Sequence, residues 1–87
     1  MNNELIHSVI AQLYAKLVKA KRYSKADEYS DAHKLCIALC FECYGMTQTL
    51  ATLELISHDR YVLLNKSIDT FDLSIIEEYM YRLGRTK

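Results

Sequence analysis

Chemistry is first sought in one segment, where three cysteines and a histidine fall together as His33-x2-Cys36-x3-Cys40-x2-Cys43. Thiolates and imidazoles are the ligands of structural zinc, and clustered thiolates also hold iron–sulfur clusters. The residues between them argue against either use. Leu35-Cys-Ile-Ala-Leu-Cys-Phe-Glu-Cys-Tyr44 is apolar nearly all round and reads as helix. On a straight helix Cys36 and Cys43 stand about 10 Å apart, and His33 to Cys43 is a stripe about 15 Å long. One small ion or cluster does not take all four donors from such a rod. The expectation is therefore three core cysteines and no cofactor, since free Cys is among the most buried residue types. A metal or redox sensor built on His33, Cys36, Cys40 and Cys43 is the weakest alternative.

A second pattern is basic. Lys16, Lys19, Lys21, Arg22 and Lys25 follow one another with no acid between them. Such a run could contact nucleic-acid phosphates. It also suits the negative end of a helix dipole. The positive charges wind around more than half of the helix, and Asp27, Glu28 and Asp31 follow at once. A nucleic-acid-binding regulator using Lys16, Lys19, Arg22 and Lys25 is accordingly the alternative reading. Catalytic patterns are thin. His7, His33 and His58 are scattered, His58-Asp59 are adjacent and diverge on a helix, and two glycines cannot build a phosphate loop. No enzyme is expected.

Seven tyrosines and no tryptophan form the third pattern. Tyrosine suits protein interfaces because it joins apolar area to a polar tip. Tyr14 and Tyr79 fall beside apolar faces and read as core. Tyr23 and Tyr29 fall at the junction of the first two helices. Tyr81 shares a polar helix face with Glu78 and Arg85. Tyr23, Tyr29, Tyr81, Glu78 and Arg85 are the expected partner-binding residues.

The elements that must position these groups are helices. Eighty-seven residues suit a single domain over 1–87, and the chain lacks Pro, on which β-turns draw. A first helix is predicted from Asn3 to Arg22, with Leu5, Ile6, Val9, Ile10, Leu13, Tyr14, Leu17 and Val18 recurring at the helical period. Ser24 or Ser30 caps the second helix, which ends at Tyr44 before Gly45. Thr47 or Thr49 caps the third, whose face is Leu50, Leu53, Ser57, Tyr61 and Leu64, with a break at His58-Asp59 left open. Asn65-Lys66-Ser67 reads as its end. The fourth starts near Asp72 or Ser74, with a capping box Ser74-Ile-Ile-Glu77, an inner face of Ile76, Tyr79, Met80 and Leu83, and Gly84 as its stop.

The fold expected is all-α, a compact antiparallel bundle of three to four helices with helix 2 central. Eleven basic and eleven acidic side chains cancel, which disfavours a generic polyanion binder and leaves self-association unopposed. The odd, clustered cysteines and the absence of a signal-like N-terminus point to a reducing cytoplasm. The longest apolar run, Leu35–Phe41, is far short of the roughly 20 residues of a membrane span. A helix apolar on every side must be central or lie between subunits. The expected function is thus a small non-enzymatic interaction protein: an inhibitor, adaptor, chaperone or regulator that binds a protein partner. It is also expected to be a homodimer, of a kind suited to a bacterial or phage accessory gene.

Overall fold

The computed structural model describes residues 2–85, and among them all regular structure is helical. The four helices are α1 (Asn2–Arg22), α2 (Asp31–Thr52), α3 (His58–Thr70) and α4 (Leu73–Arg85). Helix α1 packs against α2 and α4, and α3 against α2 and α4, so each helix touches its chain neighbours and the circuit closes.

The core forms as hydrophobic periodicity requires. Ile6, Ile10, Leu13 and Leu17 of α1 meet Cys43 and Leu50 of α2, Leu64 and Ile68 of α3, and Ile76 and Leu83 of α4. A smaller cluster of Ala20, Cys36 and Leu39 closes one end of the α1–α2 pair, with Tyr23 and Phe71 against it. Each helix packs against two others, and α1 and α2 both contribute buried residues to the two clusters. Ile10, Leu13, Leu17 and Ala20 are all fully buried, whereas α2 keeps a whole side in solvent. Helix α3, with 13 residues against 22 in α2, touches its later half, through Tyr44–Asp69 and Thr47–Asn65 hydrogen bonds.

Neither glycine ends a helix. Gly45 lies inside α2 and Gly84 inside α4, and no glycine has positive φ. Left-handed residues that carry side chains follow two of the helices, Glu54 (φ 57°) just past the end of α2 and Phe71 (φ 54°) at the end of α3, while Tyr29 (φ 68°) lies in the α1–α2 connection just before the Ser30 cap. A mid-helix glycine costs about 1 kcal/mol relative to alanine. Burying Leu50 and Thr47, whose hydroxyl donates to Asn65 Oδ1 at 2.6 Å, outweighs that. Thr47 and Thr49 are consequently interior to α2 and cap nothing. Thr49 instead returns a hydrogen bond to the Gly45 carbonyl (2.8 Å).

The caps lie elsewhere. Ser30 is the N-cap of α2, its Oγ accepting from the His33 amide (3.1 Å), whereas the Ser24 hydroxyl donates to the Lys21 carbonyl at the end of α1. Ser57, expected on a helix face, caps α3 by accepting from the Arg60 amide. Helix α3 passes through Asn65-Lys66-Ser67 because Ser67 and Ile68 are buried. It ends at Phe71, whose side chain stays packed on the core. Asp72 caps α4, accepting from both the amide and the hydroxyl of Ser74. No Ser74–Glu77 capping box forms, because Glu77 is engaged by the Tyr14 hydroxyl of α1 at 2.8 Å.

Candidate functional site

The thiols are placed by the core, not by a ligand. Cys43 is fully buried and its Sγ approaches the Leu13 carbonyl at 3.9 Å. Cys36 belongs to the separate cluster with Ala20 and Leu39, and half-buried Cys40 packs between the two. Desolvation, followed by the neighbouring thiol Cys36, raises Cys40 to about 11. Desolvation, then Cys40, raises Cys43 to about 11 as well. Both are far from the thiolate character that metal binding and redox chemistry use. His33 sits half-buried at the first turn of α2. Among the described residues no group of three or more His, Cys, Asp or Glu side chains lies close enough to share a metal ion.

The basic run is dispersed. Lys16 is half-buried and pairs with Glu42 at 3.3 Å, tying α1 to α2. Lys19, Lys21, Arg22 and Lys25 are exposed around the end of α1. Asp72 stands close enough to Lys21 and Lys66 to feel both. Its carboxyl is held below the usual range, first by the Ser74 hydrogen bonds and then by these two cations.

The tyrosines divide. Tyr23 packs half-buried on the Ala20–Cys36–Leu39 cluster. Tyr14 and Tyr79 lean on the main core, as expected, each with a polar tie. The Tyr14 hydroxyl donates to Glu77, and that bond, followed by burial and the carboxylate charge, raises its pKa. Arg60 stacks over the Tyr79 ring at 4.1 Å. Tyr44 donates to Asp69 and rises to about 12, chiefly by desolvation and then through that bond. Tyr29 is 78% exposed on the strained connection between α1 and α2.

Tyr81, Glu78 and Arg85 are brought together. With Arg82, which the sequence reading did not single out, they line one shallow depression of about 590 Å³ on α4. Arg82 Nη2 lies 2.6 Å from Glu78 Oε1, and the Arg85 guanidinium lies 5.5 Å from the centre of the Tyr81 ring. The spacing of Glu78 and Arg82, one helical turn apart, was a legible sign that they meet. The face offers a 64% exposed aromatic ring flanked by two forks of hydrogen-bond donors.

A second surface was not foreseen in detail. Between α1 and α2 runs an apolar groove of about 570 Å³, bounded by Leu5, Val9, Met46, Leu53 and Leu55. Beside it the outer side of α2 exposes Leu35, Ile37 and Phe41, the last 71% accessible. No helix among the described residues is long and apolar enough to cross a membrane. Comparison with known proteins returns no match to any family model, curated protein or solved structure.

Proposed function

We propose that this protein acts by binding another protein, with the α4 face as its recognition surface. One observation carries the reading: Tyr81, Glu78, Arg82 and Arg85 converge on one exposed face, arranged as an interface anchor with a polar rim. Tyrosine and arginine are the residues that most often dominate binding energy. Glu78 holds Arg82, and Arg85 stacks on Tyr81, so little side-chain freedom is lost on binding. Two arginines against one glutamate favour an acidic partner surface. The scaffold we infer is an antiparallel bundle. Supporting this, Leu13 with Cys43 and Ala20 with Cys36 pair α1 and α2 in opposite senses, and Tyr44–Asp69 with Thr47–Asn65 do the same for α2 and α3.

The test is affinity capture from the native host, comparing the wild type with Tyr81→Ala and Arg85→Ala. One stoichiometric protein, retained by the wild type and lost with both variants, is the expected result. Capture that is unchanged by both variants overturns the reading. So does recovery of nucleic acid alone, whose binding would fall steeply with salt.

A further inference from the structure

We infer that the outer side of α2 is the interface of a two-fold homodimer, in which the α2 helices of two copies pair antiparallel about Ala38. The inference goes beyond the α4 recognition surface: it concerns a separate face and a second copy of this chain.

The first support is exposure. Lys34, Ala38, Phe41 and Gly45 lie in solvent on the side of α2 away from Cys36, Leu39 and Cys43, with Leu35 and Glu42 exposed at its edge toward Leu39. Helix α3 meets α2 on its Tyr44–Thr47 flank, and among the described residues this side stays exposed.

The second support is charge. Lys34 and Glu42 stand four residues to either side of Ala38. At 100° and 1.5 Å per residue they are displaced by about 6 Å along the axis and about 40° around it, in opposite senses. An antiparallel copy turned about Ala38 therefore sets Lys34 of each chain level with Glu42 of the other. Leu35 and Phe41, three residues to either side, become level with one another in the same way. Self-complementarity of this kind is what a two-fold interface requires. Glu42 uses Oε1 for Lys16, which leaves its other oxygen for the second copy.

The third support is steric. Ala38 puts a single methyl group at the axis, and Gly45, one heptad on, has no side chain. Within one chain Gly45 has no evident reason to be glycine: its φ is not positive, and an added Cβ would meet nothing within 4 Å. Close approach of a second helix supplies one. The balanced net charge does not oppose association.

One helix face is a small contact against the typical about 800 Å² per copy, and association is expected at micromolar concentrations. Sedimentation equilibrium from about 5 to about 500 µM is the test, with circular dichroism as the check on folding. The wild type is expected to dimerise across this range. Ala38→Glu, which sets two carboxylates against each other at the axis, weakens association at least about tenfold. Lys34→Glu and Glu42→Lys each weaken it by about tenfold, and the double swap restores it to within about threefold of wild type. A monomer at the highest concentration overturns the inference. So does a dimer indifferent to Ala38→Glu, or a double swap that restores nothing. A monomer that still captures a partner through Tyr81 defeats this inference and leaves the proposed function standing. A dimer with the expected variant pattern but no captured protein does the reverse.

Discussion

At the residue scale, the notable positions are those where type and conformation disagree. Gly45 is helical where alanine would be favoured, and Glu54 is left-handed where glycine would be. Gly45→Ala should therefore stabilise the chain by about 1 kcal/mol. For a domain of this size that raises the thermal midpoint by roughly 4–8 °C, measured at low micromolar concentration. Glu54→Gly should gain about 1 kcal/mol by relieving the left-handed strain of a residue with a Cβ. Thr47→Val runs the other way despite being more apolar. It strands the Asn65 side-chain oxygen that the Thr47 hydroxyl now satisfies, at a cost of about 1–3 kcal/mol in denaturant melts. The thiols give a pH signature. Cys40 and Cys43 rise from 9.0 to about 11 on folding. Between these values the unfolded chain has lost protons that the native chain still binds, so stability falls as pH rises from about 9 to about 11. Native thiol labelling near neutral pH should accordingly be slow, and it should accelerate on denaturation.

At the scale of elements, the four helices were legible because apolar periodicity and caps agree over most of their length. Helix α1 needed nothing beyond its own pattern, and Ser30 was one of two caps readable for α2. The misplaced boundary between α2 and α3 has a definite cause. Glycine and threonine are local signals worth about 1 kcal/mol each, and the burial of Thr47, Leu50, Ser67 and Ile68 outweighs them. Ser57 is the true start of α3, so Ser57→Ala should cost about 1 kcal/mol of global stability by chemical denaturation. The same substitution at Ser24 should cost less, since that hydroxyl only closes the end of α1.

At the scale of the whole molecule, the fold separates a dry side from two exposed ones. Helices α1, α3 and α4 bury a common core with the inner side of α2, while the α4 face and the outer side of α2 stay open. Exposed apolar side chains are spread over the surface, with Leu35, Ile37 and Phe41 on α2, Leu5 on α1, Leu53 just past α2, and Val62 and Leu63 on α3. Of the expected partner residues, Glu78, Tyr81 and Arg85 converge, Tyr23 packs half-buried on the smaller cluster, and Tyr29 stands alone at a strained turn. Features that depend on neighbours along the chain were legible in the residues alone: the helical class, the inward stripe of α1, the core role of the cysteines and the shared face of Glu78, Tyr81 and Arg85. Features that depend on distant partners took packing between helices to settle. It carried α2 past Gly45 and α3 past Ser67. It also left the outer side of α2 bare, because local preferences are worth about 1 kcal/mol each, while burial across helices is worth several times that for every large side chain.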